Sequence, residues 1–282
     1  MNAPMNRSLI APTSNPVLER ALLEKLSRRS ERIGSLGELE PLAVRIGLMQ
    51  NSLKPRFRDP QMVIFAADHG LAVDGIKAPQ GMQTQQLVRQ LLENRLPLTV
   101  FARMQQVAVT VIDAGVAENL SAHEHLLVRK IAHGTRNVRV GPAMSVDQAH
   151  AAIRAGMEMG DKLPGNVLLC AGVGVGSRES AALVMSRLAD CPVRDLLLSG
   201  PNMSAEQFSL LMTIAQGAQS RHREVTDPVE VLAAFGGFEI AMMAGVMLVA
   251  ASKRHLIMVD GLPALAALML ASRIAPPVTD YC

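Results

Sequence analysis

The segment of this chain best suited to chemistry is Gly172-Val173-Gly174-Val175-Gly176-Ser177-Arg178-Glu179-Ser180, which follows an apolar run and precedes a helical pattern. Alternate glycines let a backbone approach a ligand closely, and a helix N-terminus offers N–H groups with positive dipole character. Together they suit a phosphate. The same segment also fits a tight strand-to-helix turn with Ser177 as N-cap. It is neither a Walker A loop nor a G-x-G-x-x-G fingerprint, because its third glycine comes one residue early. Asp68-His69-Gly70 sets a carboxylate beside an imidazole. That pair could do acid–base work, or Asp68 could hold its own loop through backbone N–H groups. Asp113 and Asp260 are further acids at the ends of apolar runs, and Glu239 falls in the first turn of a helix opened by Gly236-Gly237, where the dipole stabilises a carboxylate. His123 and His125 are two apart, a spacing that does not face one point on a helix, so no metal site is expected.

Something must carry these groups to one place. Five apolar runs of strand length end in Asp or Gly: 63–70, 109–115, 167–176, 195–200 and 255–261. Such runs, separated by helical patterns, predict a parallel sheet buried on both faces. Ligands of open α/β sheets bind outside the carboxyl ends of the strands, so Asp68, His69, Asp113, Gly172, Ser199 and Asp260 become candidates for one rim. Helices are expected from Pro16, over 36–50, and over 82–104 with a break at Pro97. Further ones are expected at 145–160, 178–189, 204–219, 228–252 and 262–275. Residues 1–55 read as an arm and a helical layer, and 56–282 as an α/β body.

Composition narrows the function classes. A net charge of +3, one Tyr and no Trp give no basic, aromatic-studded surface, so no nucleic-acid partner is expected. The richest apolar stretch, 240–251, is bounded by Glu239 and Lys253 and is shorter than the ~20 residues a membrane span needs. Three cysteines at no metal-like spacing predict neither a disulfide framework nor a zinc site, and the N-terminus lacks the apolar core of a signal peptide. The expected compartment is the cytoplasm.

Several blocks, in order, resemble one family. LGELEPLAVRIGLMQ, FAADHGLAVDGIKA, VIDAGV, RKIAHGTRNVRVGPAMS, GGFEIAMMAGVMLVAA, VDGLPALAAL and IAPPVTDY are similar to the blocks of the nicotinate-nucleotide–dimethylbenzimidazole phosphoribosyltransferases, from about residue 36 to Cys282. The resemblance implies a six-stranded, Rossmann-like, mostly parallel sheet with flanking helices, a small helical domain built from both chain ends, and a homodimer. It also implies transfer of 5-phosphoribose from nicotinate mononucleotide to a benzimidazole nitrogen, giving α-ribazole phosphate and nicotinate with no metal or cofactor. Site roles follow by position. The phosphate would lie at Gly174, Val175, Gly176, Ser177, Ser199, Gly200 and Gly261, with the base near Lys77 and Gln86, and Asp68, His69 and Asp260 are further substrate-binding candidates.

The departures are specific. The family's Ser-His loop and the Gly-Glu-Gly segment carrying its general base would fall beyond Cys282, leaving an incomplete helical domain. The family's loop glutamate is Gly172 here, a family lysine falls on Leu211, and a serine of the base pocket falls on Lys77. Glu179, with Arg178, is the expected stand-in for the missing carboxylate. Two readings result: a working phosphoribosyltransferase, or a catalytically impaired paralogue that binds nucleotide or base or regulates a full-length partner. A dehydrogenase reading rests only on Gly172-x-Gly174 and a later acid, and its glycine spacing is wrong.

Overall fold

The computed structural model describes residues 10–76, 78, 81–198 and 203–282, so Lys77, Ser199 and Gly200 lie outside the described residues. Five strands are present among them: β1 (Gln61–Ala67), β2 (Ala108–Gly115), β3 (Leu126–Val128), β4 (Val167–Val173) and β5 (Leu256–Val259). They form one all-parallel sheet in the order β3-β2-β1-β4-β5. β1 is buried along its whole length, as a central strand covered on both faces must be.

One expected strand is a helix. Residues 195–198 belong to α7 (Val193–Leu198), after α1 (Pro16–Ile33), α2 (Leu39–Met49), α3 (Thr84–Leu92), α4 (Pro97–Met104), α5 (Val146–Lys162) and α6 (Ser177–Ala189). Val193 and Leu197 are buried while Arg194, Asp195 and Leu198 are exposed, a four-residue repeat that suits a helix and not a strand. The fifth strand is instead β3, a short edge strand that buries only Leu126, so no long apolar run announces it.

The remaining helices are α8 (Ala205–Arg221), α9 (Pro228–Phe235), α10 (Phe238–Ser252) and α11 (Leu262–Ile274). The pattern over 228–252 is thus two helices, broken at the extended pair Gly236-Gly237. Pro97 ends one helical stretch and opens the next as the first residue of α4, as its missing N–H requires. α10 is buried along almost its entire length and crosses α5 so closely that a Cβ at Gly245 would stand 2.1 Å from the Ile153 carbonyl oxygen. No helix among the described residues is long and apolar enough to cross a membrane.

The two ends of the described chain are tied together. Tyr281 donates its hydroxyl to the Ala11 carbonyl at 2.6 Å, and Asp280 accepts from the Thr13 backbone N–H at 3.0 Å. Arg254 donates to the carbonyls of Met49 and Leu48 at the end of α2, with its guanidinium over the Tyr281 ring.

Candidate functional site

The chain runs outward from β1 to β2 and β3 on one side and to β4 and β5 on the other, so the order reverses between β1 and β4. A crevice opens at such a switch point, outside the carboxyl ends of the two strands. Here the two loops are Asp68-His69, after β1, and Gly174-Val175-Gly176, after β4. They touch directly, the His69 N–H donating to the Val175 carbonyl at 3.3 Å. Gly174 permits the approach: at φ 151° a Cβ there would stand 1.7 Å from the Ala67 carbonyl oxygen.

Thr84, in the first turn of α3, bridges the same two loops. Its hydroxyl donates to Asp68 Oδ1 and accepts the Val175 N–H at 3.0 Å. Asp68 Oδ2 accepts the Ala117 N–H at 2.7 Å, so both carboxylate oxygens hold loops at the crevice. Of the two roles open to Asp68 in the sequence, this is the structural one.

Ser177 is not the N-cap of α6. Gly176, left-handed at φ 86°, takes that position, and the Ser177 side chain turns inward to donate to Glu239 Oε1 at 2.8 Å. His69 Nε2 meets the same oxygen at 2.8 Å, and the His69 and Glu239 side chains are 0% exposed. Burial pulls the imidazole towards its neutral form. The charge and hydrogen bond of Glu239, aided by Asp68 and Glu179, outweigh it and hold the His69 pKa above the ordinary histidine value. Glu239 thus favours the protonated form of the imidazole in this buried pair. His69 Nδ1 and Glu239 Oε2 have no protein partner among the described residues. A Cβ at Gly237 would stand 2.2 Å from Glu239 Oε2, so glycine there leaves the carboxylate its room.

Other candidates are placed differently. Glu179 is half-buried in the first turn of α6, near enough for its charge to act on His69. Arg178 reaches the Leu197 carbonyl and so fastens α6 to the end of α7. Asp113 is a buried structural acid, accepting the Val116 N–H at 2.9 Å and pairing with Lys130 at 3.2 Å. Asp260 and Gly261 lie exposed beyond β5, and Gly261 caps α11. Gln86 is exposed on α3 and accepts the Gln83 N–H at 3.1 Å, closing the start of that helix. Leu211 is packed against the core. At Gly172 a Cβ would stand 2.7 Å from Pro263 and 2.9 Å from Met243, so no carboxylate fits there without repacking.

Sequence reasoning missed Thr84 and undervalued Glu239. Glu239 carried one usable signal, an acid inside an otherwise apolar helix of small residues. Thr84 carried none beyond its place as a polar residue at a helix start.

Parallel α/β topology with a glycine-bearing helix start at the switch point is an arrangement that can hold a phosphorylated small molecule at that edge. Residues 11–282 match the family described as Phosphoribosyltransferase, and the chain belongs to it. It is 36% identical over 276 residues to a nicotinate-nucleotide–dimethylbenzimidazole phosphoribosyltransferase of Janthinobacterium sp. (strain Marseille), covering 97% of this chain and 80% of the relative. A protein of the same name from Cupriavidus taiwanensis is 40% identical over 270 residues, covering 95% of this chain and 77% of the relative. The crystal structure of that phosphoribosyltransferase from Thermus thermophilus superposes with a TM-score of 0.86 at 29% identity, covering 95% of this chain and 81% of the other.

Proposed function

We propose that this chain transfers 5-phosphoribose from nicotinate mononucleotide to a benzimidazole base. The observation that carries the reading is the meeting of the two loops at the carboxyl ends of β1 and β4, where Gly174, Val175, Gly176 and Ser177 lead into α6 beside Asp68 and His69. Near-full-length similarity to proteins named for this reaction supports it. In the reaction the bond from ribose C1′ to the nicotinate nitrogen breaks and nicotinate leaves. A benzimidazole nitrogen bonds to C1′, and the proton on the other ring nitrogen is released.

Each group has a distinct part in this reaction. The first turn of α6 holds the phosphate with its N–H groups, with Ser199, Gly200 and Gly261 as further proposed contacts and Asp260 as a substrate-binding candidate. Gln86 and Lys77 border the base. Glu179 is the carboxylate base that takes up the released proton, since it is half-buried in the first turn of α6 whereas Glu239 is sealed inside. The His69–Glu239 pair positions the loop beside the sugar.

Residues 1–55 act with the chain end as a small helical domain beside the 56–282 body, supported by the ties of Ala11 and Thr13 to Tyr281 and Asp280. Exposed apolar residues on α1 and α2, among them Val17, Ile33, Leu39 and Leu42, support a homodimer through that layer. The cytoplasm is the compartment proposed for this activity. Sedimentation at equilibrium and cell fractionation test these two points.

The second reading, an impaired paralogue that binds without efficient turnover, is favoured by the closed space at Gly172. Incubation of the purified chain with nicotinate mononucleotide and 5,6-dimethylbenzimidazole separates the two. Formation of α-ribazole phosphate and nicotinate supports transfer, whereas binding of either ligand without product supports the paralogue.

A further inference from the structure

At the opposite edge of the sheet, where β1, β4 and β5 begin, lies a groove of about 410 Å³ lined by Lys54, Arg56, Arg58, Lys253, Arg254 and His255, with Gln50, Ser52 and Asn166. No carboxylate lines it, and its lining carries five formal cations. Two of the five have structural reasons to be there. Lys253 follows α10 and binds the Asp161 carboxylate and backbone, and Arg254 binds the end of α2. Both suit helix C-termini.

Lys54, Arg56 and Arg58 have no such reason. Their charged ends have no hydrogen-bond or ion-pair partner among the described residues, and all three come from the loop entering β1. That loop is fixed in advance. Gln50 accepts the Arg56 N–H at 2.8 Å and donates to its carbonyl at 3.0 Å, while buried Asn166 accepts the Arg58 N–H at 2.9 Å and donates to the Arg56 carbonyl at 2.8 Å. Four backbone bonds thus hold a row of unpaired cations towards one concavity. Holding like charges together costs free energy through mutual repulsion, and an anion shared among them relieves it. His255, at the floor, senses this field: burial, then Lys253 and Arg58, hold its imidazole below the usual value.

We propose that this groove binds a small, multiply charged phosphate anion, at a site separate from the crevice between β1 and β4. Its volume suits a ligand of nucleotide size, and the guanidinium groups of Arg56 and Arg58 match phosphate oxygens in fork geometry. The inference does not depend on the transferase reading.

The test is calorimetric titration of the full chain with inorganic pyrophosphate, and in a second arm with ATP, at about 0.15 M salt and with nicotinate mononucleotide saturating. Wild type should bind, and the Arg56→Ala/Arg58→Ala protein should bind about tenfold more weakly or worse while melting at the same temperature. Equal affinity in the two arms identifies the phosphates as the recognised group, and tighter ATP binding identifies a nucleoside polyphosphate. The His255 imidazole resonance, assigned with His255→Gln, should titrate at higher pH when pyrophosphate is bound. The proposal is overturned if wild type gives no binding, if the double variant binds as well as wild type, or if a single-stranded oligonucleotide binds more tightly than either anion.

Discussion

His69 Nε2 and Glu239 Oε1 stand 2.8 Å apart in a fully buried ion pair that joins the loop after β1 to the first turn of α10. Ser177, the first residue of α6, donates to the same oxygen, so three segments meet at one atom. Truncating one partner leaves the other buried without compensation. Glu239→Ala should lower stability by about 3–5 kcal/mol, read from urea unfolding, while Glu239→Gln, which keeps an acceptor for Ser177, should lose less.

The same pair sets a pH dependence. The folded state holds the His69 proton more tightly than the unfolded chain does, because its pKa is raised on folding. Its contribution to stability is therefore complete below the unfolded value, about 6.5, and is lost as pH rises through the higher folded value. Urea unfolding of wild type across that window should show stability falling with pH. In His69→Gln this component of the slope should vanish, and an unchanged slope would remove the ion pair from the account.

Thr84→Ala removes the bridge between Asp68 and Val175 and leaves the buried Val175 N–H unpaired. The expected cost is about 1–3 kcal/mol, together with a raised KM for nicotinate mononucleotide. Thr84→Ser should restore both, which a mere packing defect from the lost methyl would not.

Glu179→Gln tests the proposed proton acceptor. Turnover should fall by about 10²–10⁴-fold with little change in melting temperature, because the side chain is only half-buried. Full turnover in this variant would transfer the role to another group.

Gly172→Glu places a carboxylate where Pro263 and Met243 already stand. Overpacking should cost about 1–3 kcal/mol. Adding Pro263→Ala should recover part of that stability, as thermal melting of the single and double variants would show.

The sheet was legible wherever a strand is buried on both faces. Residues 61–67 carry an apolar run because helical layers cover both faces of the central strand, whereas 256–259 is an edge strand legible only because all four of its residues are apolar, and Pro97 marked the break between α3 and α4. β3 was hidden because an edge strand of three residues needs only one buried side chain. Residues 195–198 misled because three consecutive leucines satisfy a strand template and a helix template alike until burial shows which repeat is used. At the candidate site the glycines and Asp68 were legible as types, since backbone approach and N–H acceptance are local demands. The role of Glu239 was not. An acid in the first turn of a helix looks the same in one dimension whether it faces solvent or meets His69 from 170 positions away.

The bond from Tyr281 to Ala11 spans 270 residues, and it has a consequence for the order of assembly. Contacts between remote positions must wait for the intervening chain and slow the search for the native state. On the ribosome, the helical layer of α1 and α2 emerges well before Tyr281, whose hydroxyl ties down Ala11 beside it. Until then the segment leading into α1 lacks that tie, and a layer docked late is open to chaperones and to misassociation.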